Sequence, residues 1–222
     1  MVQNTEKHQL ATYYRKRGFS YNEIAKIVGV SKGTLSNWFS AQSFSQTVTA
    51  QNQDKARKDN QKRMQILNKL KQNERGRLYK ETAKAAKTEY SHYKSNPLFI
   101  AGLMLYLGEG DTKNPNLLRL ASTNIEVHRI FMKFLMNYLG IPKSRLRFWL
   151  LFYPDLAEQV CLNKWSKALK LPKNQFYKTQ VIKNQSKNKT LQYGVGNIII
   201  SDAVLKCKLD TWLTLVQKEL TK

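Results

Sequence analysis

The spacing of apolar and polar positions divides the chain into three textures. From Leu10 to Phe39 apolar residues recur in short bursts at helical intervals; from Ser43 to Ser95 Gln, Asn, Lys and Arg dominate; from Leu98 onward apolar residues are dense and switch between periods near 3.6 and 2. The densest stretch is Leu98 to Leu107, closed by Gly108-Glu109-Gly110-Asp111. Its ten residues fall far short of the ~20 that span a bilayer, so the pattern predicts a buried or interface helix. Asn96 is placed to cap it, and Pro97 suits its first position, where an N–H would have no partner anyway. Gly110 is expected to stop it in the left-handed conformation.

The first texture predicts three helices within residues 1–42. Leu10, Tyr13 and Tyr14 mark one that ends at Gly18. Ser20 and Glu23 form a capping box for a second, Gly29 turns the chain, and Ser31 caps a third that runs to about Phe39. Ile24, Ala25, Val28, Val30, Leu35 and Trp38 are assigned to one small core.

The second texture carries 13 basic and five acidic residues between 51 and 96, with few apolar anchors and no proline from Asp54 to Ala86. That suits a long solvated helix or a partly disordered tether, and Gly76 with the Gln and Asn content points to a broken helix. Two roles fit: a basic arm that follows phosphates, or a plain solvated linker.

The third texture alternates elements. Leu117 to Ala121 reads as a strand; Asn124 caps a helix with Ile130, Phe131, Phe134, Leu135 and Tyr138 on one face, ended by Gly140. Arg145 to Tyr153 is the next strand, and Leu156 to Leu171 a helix with Val160, Trp165 and Leu169 inward. Gln175 to Ile182 and Leu191 to Ile200 read as a hairpin across the loop 183–190, and Ala203 to Leu220 as a closing helix.

Charge changes the picture most. Thirty-eight Lys and Arg against 15 Asp and Glu leave +23, a field that attracts polyanions, with nucleic acid the leading partner and a membrane surface the alternative. No leader, spanning segment or lipidation signal is read, so the expected place is the cytoplasm, in association with the nucleoid, or else wherever the target DNA lies. Cys161 and Cys207 lack metal-ligand spacing and read as reduced core thiols. His8, His92 and His128 form no cluster; His128 reads as a polar-face residue. Glu109 and Asp111 crowd the negative end of the Pro97 helix, and a divalent cation with oxygen ligands would compensate them.

At Gly108-Glu109-Gly110 the sequence resembles the closing small-acid-glycine triplet of the LAGLIDADG homing endonucleases, with Leu105 and Tyr106 at the two apolar positions before it. Met104 and Leu107 depart from the pattern, standing where the family has a small residue and usually an acid. The resemblance covers most of residues 97–222 and implies a single αββαββα-like domain whose motif helices pair between two copies. It also implies Mg²⁺ or another divalent cation at Glu109, with Asp111 a second ligand. A lysine from the hairpin, Lys178 or Lys183, would polarise waters there; Lys183 is counted as catalytic and Lys178 as a DNA contact. Residues 7 to 40 resemble the helix-turn-helix of resolvase-like and transposase-like proteins, implying that Lys32, Gly33, Thr34, Ser36 and Asn37 face base edges in a major groove. Arg119, Arg145, Arg147, Lys178, Lys183 and Tyr193 are candidates to line a further DNA groove.

The resulting expectation is an α+β chain in three parts. Residues 1–44 form a three-helix DNA-binding domain, 45–95 a basic, partly helical linker arm, and 96–222 a LAGLIDADG-like endonuclease domain. It acts as a homodimer through the 97–109 helix, binds double-stranded DNA and no membrane, and hydrolyses phosphodiesters. The alternative is a non-cleaving transcriptional regulator on the same fold; a basic RNA-binding protein is a third and weaker reading.

Overall fold

A computed structural model describes residues 2–152, 154, 156–181 and 193–221. Lys183 and the loop 183–190 lie outside them. The chain is α+β and divides into two compact units, Met1–Glu74 and Arg75–Lys222.

In the first unit α1 (Val2–Lys16), α2 (Tyr21–Val28) and α3 (Lys32–Phe39) pack with the start of α4 (Ser43–Tyr93). The capping box at Ser20 and Glu23 opens α2, and Gly29 closes it at φ 70°. Ala11, Ile24, Val28, Leu35 and Phe39 form the buried core, with Ala25, Val30 and Trp38 packed at its margin. The inward face of α1 differs from the expected one: Leu10 and Tyr13 are exposed, while Ala11 and Arg15 are buried. Arg15 is the reason. Its guanidinium bolts α1 to α4, donating from Nε to Ser45 Oγ at 2.9 Å and from NH2 to the Ser45 carbonyl at 2.7 Å, and it caps the Phe19 carbonyl at 2.9 Å. Those bonds and the Tyr21 ring 4.3 Å from its carbon offset the cost of burying a charge.

The segment expected to be broken is one 51-residue helix, α4. Gly76 costs only about 1 kcal/mol of propensity, too little to end a run of good helix formers free of proline. Asp54–Lys58 and Arg77–Glu81 add pairs one turn apart.

The second unit holds α5 (Pro97–Glu109), β1 (Leu117–Ser122), α6 (Ile125–Tyr138), β2 (Arg147–Phe152), α7 (Glu158–Leu169), β3 (Gln180–Val181), β4 (Val195–Ser201) and α8 (Ala203–Leu220). One strand, then a helix, follows α5, where the family resemblance implies two strands. The sheet order is β1-β4-β2-β3: β4 runs antiparallel to β1 and β2, and β3 parallel to β2. Among the described residues the last two strands do not form the expected hairpin; β2 lies between them, because β4 pairs along its length with the longer strands β1 and β2.

Helices α5, α6 and α8 cover one sheet face with an aromatic core, in which Phe99 meets Trp212 and Tyr138 at 5.1 Å between ring centres. α5 and α6 approach so closely that a Cβ on Gly102 would lie 2.2 Å from Phe134 Cγ. Three further expectations fail on facing: Ile130 and Val160 are exposed and His128 is fully buried, because Met132, Cys161 and His128 occupy the inward positions. Among the described residues no helix is long and apolar enough to cross a membrane.

Candidate nucleic-acid interface

Two surfaces, one in each unit, carry the polar and basic side chains of interest. On α3 the Ser31 side chain accepts from Thr34 N at 3.0 Å and shares a 2.8 Å hydrogen bond with the Thr34 hydroxyl. Thr34 is thereby committed to the cap. Lys32, Gly33 and Asn37 are exposed and Ser36 half-buried, so the first two turns offer an ammonium, an amide and a hydroxyl over a face free of bulk. Leu35 and Phe39 fix the opposite face in the core. The positive end of the helix dipole adds to the attraction for anions at Lys32.

The second surface is the uncovered face of the sheet. Strand alternation puts Leu118, Leu120, Phe148, Leu150, Ile198 and Ile200 into the core, so the residues between them point the other way. Cross-strand register then sets Arg119, Ile199 and Arg147 in one row and Ala121, Asn197 and Trp149 in the next. The face is a half-exposed apolar floor with a tryptophan and two guanidinium groups, in which the Asn197 amide lies buried. Arg119 reaches Asp111 at 3.2 Å, and Arg147 donates to the Ser144 and Leu146 carbonyls at 2.8 and 3.0 Å. Both guanidinium groups are thus held in place before any ligand arrives.

Arg145, expected on the same surface, instead ends a 3-10 turn before β2 and pairs with Asp202 at 3.0 Å. Lys178 is exposed in the segment leading to β3, and Lys183 lies outside the described residues. Trp149 and Ile199 are additions that sequence reasoning missed. Counting by two from Arg147 would have placed Trp149 beside it, whereas Ile199 needed the register of β4 with its two neighbours.

At the end of α5 the two acids have different fates. Glu109 is exposed, and no partner for it occurs among the described residues. Asp111 is engaged: Oδ1 accepts from the Lys113 and Asn114 N–H groups at 3.1 and 3.2 Å, and Oδ2 faces Arg119. Gly110 is extended, at φ −89°, and not in the expected left-handed stop. It is needed for closeness instead, since a Cβ there would lie 2.4 Å from the Tyr106 carbonyl. The chain turns directly into a bridge with Leu120, and the Tyr106 hydroxyl donates to the Asp111 carbonyl at 2.7 Å. Burial pushes the Tyr106 hydroxyl well above its ordinary pKa, so it stays a donor.

These positions bear on the divalent cation that the family resemblance implies. One copy offers Glu109 as its only uncommitted carboxylate at the site, and among the described residues no three His, Cys, Asp or Glu gather as ligands. A hard cation taking six or more oxygen ligands does not fit that set in a single copy. The outward face of α5 is nonetheless apolar: Ile100, Ala101 and Met104 are half-buried and Leu107 exposed, opposite the buried Phe99, Gly102, Leu103 and Tyr106.

Fold and surfaces together define a strongly basic α+β protein with a polar exposed helix in one unit and an open, arginine-flanked sheet face in the other. Compared with protein-family models, curated proteins and solved structures, the chain matches none.

Proposed function

We propose that the chain is a sequence-specific double-stranded DNA-binding protein with two reading surfaces. The α1–α3 unit acts as a helix-turn-helix, with α3 in the major groove and Asn37 and Lys32 at base edges. The open sheet face takes a further length of duplex, Arg119 and Arg147 contacting phosphates beside Trp149. The observation that carries the reading is the row of Arg119, Ile199 and Arg147 across a sheet face left uncovered in a chain of net charge +23. Base-edge contacts specify while phosphate contacts position, so the two surfaces have separable signatures. The test is selection of binding sites from randomised duplexes. Asn37→Ala should relax the base preference and cost ~1–3 kcal/mol on the best site, whereas Arg147→Ala should weaken all sequences alike. Equal affinity for single-stranded RNA and duplex DNA would overturn the proposal.

A second reading, a LAGLIDADG-type endonuclease acting as a homodimer, draws on one observation: the exposed, uncommitted Glu109 stands beside the outward apolar face of α5. Two copies joined there would bring two such carboxylates together, and with them the donors that Mg²⁺ requires. Incubating selected duplexes with and without Mg²⁺ tests it. Cutting that Glu109→Gln abolishes while binding persists favours the nuclease; binding without cutting in any divalent cation leaves the transcriptional regulator.

A further inference from the structure

On the helical side of the second unit, away from the open sheet face, α6 and the end of α7 enclose a groove of about 540 Å³. Met132, Met136 and Leu169 line its floor, and Lys133, Lys143 and Lys170 stand around it. The one carboxylate at this groove, Glu126, is taken by Arg129, which also donates to the Ala168 carbonyl from Nε and NH2 at 3.1 and 3.0 Å. The three lysines have no ion-pair partner among the described residues.

Lys170 is placed there at a cost. It closes α7 at φ 53°, the only non-glycine residue with positive φ among those described. Glycine is the residue that adopts this conformation freely at a helix end, so a lysine there keeps a charge at the groove against backbone preference.

We propose that this groove docks an acidic amphipathic segment of a partner protein, its carboxylates meeting the three lysines and a bulky apolar side chain lying on the methionine floor. The two halves of the lining select this occupant. A sugar-phosphate backbone would satisfy the lysines but has no apolar surface to bury against Met132, Met136 and Leu169. A neutral apolar peptide would fill the floor and leave the charges unanswered. Methionine adapts its shape to different side chains, which suits recognition of a flexible segment. The chain's own 15 acidic residues among 38 basic ones make a second copy a poorer match in charge. The proposal stands independently of the DNA-binding reading.

The test uses the full chain and a fluorescein-labelled peptide with leucines one turn apart among glutamates, read by anisotropy. Controls are the same peptide with the leucines replaced by serine, and an unlabelled DNA duplex. The leucine peptide should bind saturably. Lys133→Glu with Lys170→Glu should weaken it by roughly tenfold or more, and Met136→Gln and the leucine-free control should each bind less tightly. Lys170→Gly separates binding from folding: it should raise Tm while lowering peptide affinity, and like Met136→Gln it should leave duplex affinity unchanged. Equal affinity for the leucine-free peptide would reduce the groove to a general cationic surface and overturn the proposal. Peptide and duplex affinities falling in step would assign it to phosphate contacts instead. Self-association lost in the same variants, with no peptide bound, would assign it to a second copy.

Discussion

His128 lies fully buried between Phe148 and Trp165, edge-on to both rings at 5.4 and 5.1 Å. Its Nε2 is 3.1 Å from the Ser122 carbonyl, which can only accept, so Nε2 carries the proton; among the described residues Nδ1 has no partner at hydrogen-bond geometry. Desolvation holds the ring neutral and lowers its pKa to about 4. The unfolded chain takes up this proton near pH 6.5 and the folded one only near 4, so the native state binds fewer protons in between. Stability is therefore full above about pH 6.5 and falls by about 3 kcal/mol as pH drops through that window. Urea midpoints measured across it should show the slope, and His128→Phe should flatten it; a slope unchanged in the variant would place the titrating group elsewhere. The burial of His128 was legible in principle. It stands three and four residues before Phe131 and Met132, on the face that the period from Asn124 sends inward, and only its polar identity argued otherwise. Arg15 is illegible for the same reason, since no pattern of apolar positions announces a buried guanidinium whose partners lie on α4.

At the level of elements, α5 shows what periodicity can and cannot carry. Its start at Asn96 and Pro97 and its length were readable because caps are local. Its inward face was not, because every residue from Leu98 to Leu107 is apolar or glycine and any face would serve. Packing chose Phe99, Gly102, Leu103 and Tyr106, since only Gly102 admits Phe134 so closely. In the same way Ile130 and Val160 sit one step from the inward stripe, and the order β1-β4-β2-β3 depends on pairings far apart in sequence, which turn signals do not encode. The outward face of α5 supplies a prediction. If it joins two copies, Met104→Lys should convert a dimer to a monomer in sedimentation; because Met104 is half-buried beside the core, circular dichroism should show that the variant keeps its helical content. A wild-type chain that is already monomeric, alone and on DNA, would remove that interface. α4 supplies another: every residue from 53 to 75 is exposed to solvent. Neutralising Lys55, Arg57, Lys58, Lys62 and Arg63 should weaken binding to every duplex alike and flatten the salt dependence by about 0.9 log units for each phosphate that is no longer neutralised. An unchanged slope would make this stretch a solvated helix with no part in binding.

For the molecule as a whole, a charge of +23 sets strong, salt-sensitive attraction to any polyanion, so selectivity must come from a few side chains set against that background. Of the expected site residues, Lys32, Ser36, Asn37, Arg119 and Arg147 stand on the two surfaces described, Thr34 serves the cap, Arg145 is tied to Asp202, and Asp111 serves the turn after α5. That last assignment also bears on the protein's solubility. The two outermost strands of an open sheet present unpaired amides that recruit other chains. Here β3 is only two residues long, and the outer side of β1 is engaged where Asp111 N donates to the Arg119 carbonyl at 2.8 Å beside the Gly110–Leu120 bridge. The Asp111 carboxylate, gripping two backbone amides and Arg119, keeps that strap shut. Asp111→Ala should release it, and the variant should gather thioflavin-positive aggregate on storage at concentrations where the wild-type chain stays clear.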